Sequence, residues 1–527
     1  MERKKQPIRS RTASSLVIGL SLSSVLVTAQ ADNHPPVPRK HATAEAISTG
    51  PVDAYQKRPR LFVLSDIGNE PDDQMSLTRL LLYSNEIRIE GLVATTSTWQ
   101  PDKIRPDIMR QVVQHYGEVH ANLSKHDSRF PDESHLKSLI APGQDGYGLE
   151  NVGSGKSSQG ARALIRAIES KDAQPLHIAL WGGANTLAQA LWQLQETHSK
   201  GEMDRLIAGL RVYSISDQDD AGPWIRQRFP ELSYIVDPSA ANAESYAQAT
   251  WTGISGDRYD RNAPGADFHT VTNEWLEKHI RSKGPLGRAY PRYKFIMEGD
   301  TPSFLNLVRN GLDSEMSPGW GGWGGRYIRR QPLSESRPIW TSGGDFYPGR
   351  PNGADTVTGE DGKSYTSNQA TIWRWRNAYQ NDFAARMDWT VSDYAHANHE
   401  PQAIVNGDTT QKPIRIKAKA GETVHLDASM SKDPDNDNLD YHWFVYPEAG
   451  SADSDTAPKE LISGYGSAEG PSVPPIARVM NGEADAADIK ANRSGTTHII
   501  LAITDEGSPR LTSYRRIILK VSDSEAT

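Results

Sequence analysis

The 527-residue sequence predicts a mainly parallel α/β domain with helices on both faces of its sheet, followed by a small all-β sandwich. Two observations support this fold class. Between residues 60 and 389, short apolar runs alternate with stretches of helical period, which is the pattern of strand–helix–strand units. After residue 400, apolar and polar residues alternate between turn signals, which is typical of antiparallel β-structure.

The elements of the first domain are predicted from local patterns. The predicted helices are residues 74–83, 160–169 and 187–195. The predicted strands are the short apolar runs 61–64, 92–94, 177–180, 212–215, 235–236 and 295–297. In such sheets, ligands bind outside the carboxyl ends of the strands. The residues directly after each run are therefore the candidates for function.

The C-terminal region has the alternation of half-buried strands. Val424, Leu426, Tyr441, Trp443 and Val445 alternate with polar residues, and an Asp/Asn-rich turn separates the two groups. We therefore predict an immunoglobulin-like sandwich and place the domains at residues 59–400 and 401–527. The sandwich is expected to support the first domain or to bind a ligand, because its acidic run has the pattern of a turn.

The N-terminal region predicts export. Residues 1–11 are rich in lysine and arginine, residues 16–27 are apolar, and residues 29–31 (Ala-Gln-Ala) supply a small-residue cleavage site. We interpret residues 1–31 as a signal peptide rather than an anchor, because the apolar run is short for a membrane span. Residues 32–58 are predicted to be a linker. The expected location is periplasmic or extracellular, without membrane attachment after cleavage.

Composition narrows the possible ligands. The absence of cysteine excludes disulfides, cysteine nucleophiles and zinc fingers. A formal net charge of −8 and a sequence pI of about 6.0 argue against a nucleic-acid partner and favour cations or neutral ligands. Composition leaves the oligomeric state open.

Four carboxylates follow the first predicted strand: Asp66, Glu70, Asp72 and Asp73. Pro71 indicates the start of a helix, where one or two acids act as caps. Capping does not explain four acids in one loop, because they repel one another unless a cation offsets their charge. Hard cations such as Ca²⁺ take about six to eight oxygen ligands. The sequence therefore favours a metal or substrate site here over simple capping.

The loop at residues 66–73, Asp-Ile-Gly-Asn-Glu-Pro-Asp-Asp, resembles the nucleoside hydrolases. It resembles more closely their secreted relatives, the nucleoside-hydrolase-like group labelled cellulose-binding proteins. Residues 181–188 are similar to the Gly-Pro-Leu-Thr-Asn turn of nucleoside hydrolases, residues 216–238 to their sugar-binding segment, and residues 380–384 to their late His-Asp helix start. Residues 298–304 look like a hallmark of the secreted group. The resemblance covers about residues 58–525 and implies the nucleoside hydrolase fold followed by a β-sandwich.

The resemblance also implies a Ca²⁺ ion and a set of roles for the acids. The implied metal ligands are Asp66, Asp73, the backbone carbonyl of Asn185, and Asp382. The implied catalytic carboxylates are Asp66 and Asp72, and Glu70, Asp219 and Asp300 are unranked candidates for protonating the leaving group. The implied substrate-binding acids are Asp72, Asp217, Asp219, Glu298 and Asp300.

Aromatic residues point to a sugar ligand. Trp320, Trp323 and Tyr327 lie in the glycine-rich run 320–327, and the further candidates are Trp99, Trp224, Trp340, Phe346, Trp373 and Trp375. For Trp373 and Trp375 a role in the core is favoured. Sugar rings have apolar CH faces that stack on aromatic planes. A role in the core is the alternative, but the glycine-rich context favours a pocket-lining role for Trp320 and Trp323.

The sequence thus predicts an exported hydrolase that cleaves a glycosidic bond in a polysaccharide or oligosaccharide with a Ca²⁺-bound water and carboxylates. A non-catalytic carbohydrate-binding or cellulose-binding protein is the first alternative. A nucleoside N-ribohydrolase is the second. It is weakened because Asn381 occupies the position of a His that assists the leaving base in the nucleoside hydrolases.

Overall fold

The computed structural model describes residues 58–238, 254, 265–294, 296–332, 335–342, 353–449 and 474–523. The predicted signal peptide and nearly all of the predicted linker lie outside these residues. Within the described part of the chain, no helix combines the length and the apolar character that crossing a membrane requires.

Eight strands form the main sheet: β1 (Arg60–Ser65), β2 (Arg88–Ala94), β3 (Ile140–Pro142), β4 (Leu176–Leu180), β5 (Leu210–Ser214), β6 (Ser233–Ile235), β7 (Ile328–Arg330) and β8 (Ile339–Thr341). Their order is β3-β2-β1-β4-β5-β6-β8-β7, and the neighbours are parallel except for the antiparallel pair β7–β8. The predicted mainly parallel sheet is confirmed. The predicted run 295–297 is not a strand at Ile296 and Met297. It leads into Glu298, whose φ of 54° is incompatible with extended backbone.

The helices of the first domain are α1 (Asp72–Leu81), α2 (Pro106–His126), α3 (Glu133–Ser138), α4 (Gln159–Ile168), α5 (Asn185–Thr197), α6 (Lys200–Ala208), α7 (Ala221–Arg228), α8 (Asn273–Leu276), α9 (Gly284–Ala289), α10 (Pro302–Leu305), α11 (Ala370–Trp373) and α12 (Arg376–Asp388). The predicted helices overlap α1, α4 and α5. None of the other helices was predicted from its helical period, including the 21-residue α2, and the short elements α8 to α10 lack the length for such a period.

The helices cover both faces of the sheet, as the strand β1 shows. Leu61 and Val63 pack into one buried cluster with apolar residues of α1 and α2. Phe62 and Leu64 pack into a second cluster with residues of α4, α5 and α7. Because successive side chains of a strand point to opposite faces, β1 contributes to both layers. This burial explains why its sequence is a continuous apolar run.

The C-terminal region is a two-sheet sandwich preceded by a hairpin of β9 (Asp355–Thr358) and β10 (Ser364–Ser367). The sandwich strands are β11 (Ile414–Lys419), β12 (Thr423–Asp427), β13 (Leu439–Tyr446), β14 (Ala477–Val479), β15 (Ala486–Ala491), β16 (Gly495–Asp505) and β17 (Thr512–Ser522). One sheet has the order β11-β17-β16-β13 and the other β12-β15-β14. Apolar side chains from both sheets form its core. The predicted sandwich is confirmed.

The glycine-rich run 320–327 packs against this sandwich. The ring of Trp320 meets His498 edge-on at 5.4 Å between centroids, and the ring of Trp323 lies 6.4 Å from Tyr514. Both tryptophans are buried. The predicted pocket-lining role of Trp320 and Trp323 is therefore corrected, because their faces are covered by β16 and β17. The glycines serve close packing instead: a Cβ on Gly321 would lie 2.2 Å from the Tyr446 hydroxyl oxygen.

Candidate functional site

The ends of β1 and β2 hold two carboxylates in place. The Ser65 hydroxyl, at the last position of β1, donates to Asp73 Oδ1 at 2.5 Å. The Ser97 hydroxyl, in the loop after β2, donates to Asp66 Oδ2 at 2.5 Å. Gln100 Nε2 donates to the Asp66 carbonyl at 3.0 Å. Asp66 and Asp73 are thus fixed by short hydrogen bonds at the carboxyl edge of the sheet, where this fold class places ligands.

Asp300 completes the acidic cluster, which consists of Asp66, Asp72, Asp73 and Asp300. Asp72, Asp73 and Asp300 each offer a carboxylate oxygen, and these oxygens all lie within 4.8 Å of one another. Asp300 precedes the short helix α10, and the neighbouring Thr301 hydroxyl lies 3.1 Å from Ser76 Oγ of α1. Asp300 Oδ2 is buried and has no hydrogen-bond partner among the described residues. The loop before α10 therefore delivers an unsatisfied carboxylate oxygen to the amino end of α1.

Burial raises the pKa of every carboxyl group in this cluster. Burial is the main cause for Asp66, whose pKa rises to about 6, and for Asp72, whose pKa rises to about 7 with a further contribution from Glu70. The pKa values of Asp73 and Asp300 also lie well above the ordinary range, mainly through burial and then through the other acids. In the described part of the chain, no lysine or arginine forms an ion pair with these four groups. A cation or protons must offset their charge.

Asp219 lies beside the cluster but has different partners. Its Oδ2 accepts the backbone N–H of Asn185 at 3.0 Å, and its Oδ1 accepts that of Ala221 at 3.0 Å. Burial raises its pKa to about 6, while these backbone donors lower it. Glycine occupies the loop between Asp219 and Asp66, where a Cβ on Gly182 would lie 2.8 Å from the Cβ of Asp66. Only glycine allows this loop to run between the two carboxylates.

Asn185 is buried at the first position of α5, next to this group. Its side-chain amide donates to the Gly146 carbonyl at 2.7 Å and its Oδ1 accepts from Thr95 at 3.2 Å. At a helix N-terminus the N–H groups face the cluster and the carbonyls point along the helix. The Asn185 N–H thus holds Asp219, and the role of the Asn185 carbonyl as a metal ligand stays a prediction.

The structure does not bring Asp382 to the cluster. Asp382 Oδ1 accepts from the Tyr83 hydroxyl at 2.5 Å and from Arg386 Nε at 2.9 Å. Tyr83 follows the carboxyl end of α1, whereas Asp72 and Asp73 begin that helix. A helix of 10 residues spans about 15 Å. The implied place of Asp382 among the metal-binding acids is thus corrected, because Asp382 lies at the other end of α1. The acid that joins Asp72 and Asp73 is Asp300.

Two of the predicted substrate-binding acids are engaged by arginines. Glu298 is fully buried, and it forms an ion pair of 2.5 Å with Arg79 and accepts the Tyr290 hydroxyl at 2.5 Å. Asp217 makes a bidentate pair with Arg226, both distances being 2.8 Å. These pairs take the oxygens that would contact sugar hydroxyls. Glu298 and Asp217 are therefore held in ion pairs within the protein, and their contact with sugar hydroxyls stays a prediction.

The sequence analysis did not predict that Ser97 and Asp300 meet the acids after β1, although the positions of both residues in the sequence indicate it. Ser97 follows the predicted strand 92–94 by three positions, so its place at the sheet edge was readable. Asp300 stands two residues before Pro302 at the start of α10, as Glu70 and Pro71 precede α1. Both are acidic turns that enter a helix through proline, and this parallel marks Asp300 as a partner of the first acidic loop.

Two family profiles match the chain. The profile described as "Cellulose-binding Sde182, nucleoside hydrolase-like domain" matches residues 60–327, and "Cellulose-binding protein Sde0182, C-terminal domain" matches residues 423–521. A solved structure of a nucleoside hydrolase-related hypothetical protein from Saccharophagus degradans, described as associated with carbohydrate metabolism, is 33% identical. It covers 88% of this chain and 100% of its own, with a TM-score of 0.71. The chain belongs to the cellulose-binding Sde182 family.

This Sde182-family chain has weaker similarity to other solved structures. The type III effector protein XopQ complexed with adenosine diphosphate ribose is 11% identical, covers 54% of this chain and 88% of its own, and has a TM-score of 0.27. The PKD domain from KIAA 1837 protein is 17% identical, covers 21% of this chain and 83% of its own, and has a TM-score of 0.14. Similarity at this level carries no functional argument. No curated protein sequence matches the chain.

Proposed function

We propose that this Sde182-family protein is a hydrolase that cleaves a glycosidic bond in a polysaccharide or oligosaccharide and depends on a bound Ca²⁺ ion. The observation that carries the proposal is the cluster of four buried carboxylates at the carboxyl edge of the sheet. Oxygens of Asp72, Asp73 and Asp300 lie within 4.8 Å of one another without an arginine or lysine partner among the described residues. The family description and the carbohydrate-associated relative support a sugar substrate.

The residues present fit a hard divalent cation. All the donors are carboxylate oxygens, the ligand type that Ca²⁺ prefers. Asp300 Oδ2 is buried without a partner among the described residues, and such an atom gains most from a ligand. Asp73 and Asp300 would hold the ion, with Asp66 or Asp72 beside it. When bound, the ion would orient a water molecule and make it more acidic.

The remaining carboxylates divide the proton transfers. Asp72 lies beside Asp73 and Asp300 in the cluster, and its carboxylate is the candidate general base for the water that the ion would orient. Asp219 is held as an acceptor by two backbone N–H groups, so it is a poor proton donor. Glu70 is half-buried and close enough to Asp66 and Asp72 to raise their pKa values. It remains the candidate for protonating the leaving group.

A non-catalytic carbohydrate-binding protein is the second candidate. The ion pairs of Glu298 and Asp217 favour it, because they remove two acids that the first proposal needs for sugar hydroxyls. The cellulose-binding description of the family also supports it.

The deciding experiment is a panel of α- and β-linked polysaccharides and oligosaccharides with purified protein. Release of reducing ends that stops with a chelator and returns with Ca²⁺ would support the hydrolase. Binding without release would support the second candidate. Release of base from inosine or uridine would instead indicate a nucleoside hydrolase.

The predicted location suits a polymeric substrate. We propose that residues 1–31 direct export and are removed, which places the chain where polysaccharides occur. Mass spectrometry of protein from the periplasm or medium is expected to give a mature chain that begins at Asp32. A cytosolic chain that retains Met1 would contradict this proposal.

A further inference from the structure

A groove lies beside β2 and the edge strand β3, against helix α4. Its volume of about 680 Å³ falls in the range of about 300–1,000 Å³ that is typical of ligand clefts. Among the described residues that line it, the side chains with a full charge are Arg58, Arg88, Glu90, Arg162 and Arg166. We call it the arginine groove. It gathers positive charge in a chain whose formal net charge is −8.

The one acid in this lining is already shared between two arginines. Arg60 donates to the two carboxylate oxygens of Glu90 at 2.8 Å each, and Arg88 Nε lies 3.0 Å from the same carboxylate. Arg88 also donates to Asp172 Oδ2 at 2.5 Å. Glu90 and Asp172 therefore offset Arg60 and Arg88, and they leave no negative charge for the other arginines of the groove.

Three arginines of the groove have no ion pair among the described residues; they are Arg58, Arg162 and Arg166. Arg58 Nη1 donates to the carbonyls of Ser84 and Arg129, both at 3.1 Å. Arg162 Nη1 donates to the Ser157 carbonyl at 2.5 Å. Neutral carbonyl acceptors orient these two guanidinium groups without cancelling their charge.

The unpaired arginines also repel their neighbours. Arg162 and Arg166 are exposed and lie four residues apart on α4, a spacing at which like charges destabilise a helix. Burial lowers the pKa of Arg58, and the charges of Arg129 and Arg88 lower it further. An anion in the groove would relieve the repulsion at both places.

The arginine groove is separate from the acidic cluster. Arg88 is the first residue of β2, whereas the acids follow the carboxyl ends of the strands. The seven residues of β2 span about 20 Å. A ligand held by Arg88 and the arginines of α4 therefore has its own binding site.

We propose that the arginine groove binds an acidic saccharide chain through the carboxylate or sulfate groups of that chain. A guanidinium group pairs with such oxyanions through two parallel N–H donors, which gives both strength and orientation. The choice of a saccharide rests on the proposed carbohydrate function. A single-stranded nucleic acid fits less well, because no Phe, Tyr or Trp among the described lining residues offers its bases a stacking surface.

The test measures binding to the full chain by calorimetry. The ligands are hexagalacturonate, which carries carboxylates, and a sulfated galactan hexasaccharide, with neutral maltohexaose as the control ligand. The double variant Arg162→Gln/Arg166→Gln keeps good helix formers on α4 and is expected to weaken binding of the acidic hexasaccharide about tenfold. Arg205→Gln, which removes an exposed arginine from α6, is the matched control and should bind as the wild type does. Added salt should weaken wild-type binding, because it screens the charges.

The outcomes separate the groove from the proposed hydrolase site. Wild-type binding that the double variant loses would support the groove, and the tighter of the two acidic ligands would identify its anion. Equal affinity in the double variant would overturn the groove, while the neutral members of the glycan panel still test the carbohydrate function. Absence of wild-type binding to both acidic hexasaccharides would overturn the proposal. Equal binding of a deoxythymidine oligonucleotide with the same number of charges would overturn the choice of a saccharide.

Discussion

Buried carboxylates in this chain fall into two groups that differ in their partners. Glu298 and Asp217 each face an arginine, which offsets their charge inside the protein. Asp72 and Asp300 face other acids, and burial raises their pKa values. A buried carboxylate without a cationic partner costs free energy unless it is protonated or bound to a metal. The second group therefore needs a functional explanation, whereas the first has a structural one.

Replacing Asp300 tests the metal assignment. Asp300→Asn keeps the shape and removes the charge, and it is expected to lower Ca²⁺ affinity about tenfold or more. Asp382→Asn makes the same chemical change at the site that the structure separates from the cluster, so its affinity is expected to match the wild type. Calorimetric titration of chelator-treated protein measures both. Wild-type affinity in Asp300→Asn, or lost affinity in a folded Asp382→Asn, would return the metal to the position first expected.

Replacing Asp72 tests the catalytic role. Asp72→Asn retains an oxygen at the cluster, but it cannot accept a proton near neutral pH. Turnover on the substrate found in the panel is expected to fall about a hundredfold, the scale of general base catalysis. Asp107→Asn, an exposed acid in the first turn of α2, is the control and should retain turnover. An Asp72→Asn variant with full activity would move the base to Asp66 or Glu70.

The element that organises the site is helix α1. Its amino end presents Asp72 and Asp73, and Arg79, near its carboxyl end, pairs with Glu298 in the loop that delivers Asp300. Thr301 reinforces this link, because its hydroxyl donates to Glu298 at 2.7 Å and lies 3.1 Å from the Ser76 hydroxyl of α1, which can donate to it. One helix thus supplies acids to the site and anchors the loop that completes it.

Glu298→Gln tests this anchoring role. The change leaves Arg79 buried without its charged partner, so the free energy of unfolding is expected to fall by about 3–5 kcal/mol. If Glu298 acts only as an anchor, the folded variant should bind oligosaccharide with an affinity close to that of the wild type. Denaturant unfolding and calorimetry measure the two quantities. A large loss of sugar affinity without a loss of stability would restore Glu298 as a direct sugar ligand.

Sequence patterns predicted the elements better than they predicted the distant contacts. The runs at β1 and β4 and the acids after β1 are local signals, and the structure places them as expected. The choice between Asp300 and Asp382 depended on which loop meets the start of α1, and no local pattern carries that information. The hydrogen bonds of Asp219 were not predicted for the same reason, since a partner such as the Asn185 N–H belongs to a distant part of the sequence.

At the scale of the whole molecule, the acidic cluster links stability to pH and to metal. Burial raises the pKa of Asp66 to about 6 and of Asp72 to about 7, so the metal-free folded chain retains protons there that the unfolded chain releases near pH 4. The folded state therefore binds more protons between about pH 4 and pH 7, and these groups reduce stability as the pH rises through that window.

The measurement is the melting temperature of chelator-treated protein at about pH 5 and pH 7.5. The wild type is expected to lose more stability over this interval than Asp72→Asn, which lacks one of the titrating groups. Ca²⁺ should stabilise the wild type more at pH 7.5 than at pH 5, because the ligands must be deprotonated to bind it. Equal pH slopes in the two proteins would show that Asp72 does not have a raised pKa.

The contact between the domains is the feature that the sequence concealed most completely. The tryptophans of the glycine-rich run pack against residues almost two hundred positions later, so their neighbours cannot be read from the run itself. Arg516 of β17 donates to the carbonyls of Leu312 and Gly321 at 2.5 and 2.7 Å, and the Tyr446 hydroxyl donates to Asp355 at 2.6 Å. A glycine-rich context indicated open space, but here it permits close packing between layers.

This contact predicts that the two domains unfold together. Tyr446, Ile500 and Tyr514 of the sandwich belong to the same buried cluster as Trp323 and Trp375 of the first domain. Calorimetry of the full chain is therefore expected to show one transition. A chain that ends at Pro401 would expose Trp323 and Trp375 to water. It would also lack Tyr446 beside Asp355, the carboxylate that pairs with Arg326 and Arg374. Such a chain is expected to aggregate or to melt well below the full chain. Two separate transitions, or a truncated chain as stable as the first domain within the full protein, would show that the interface contributes little and that the sandwich is an appended module.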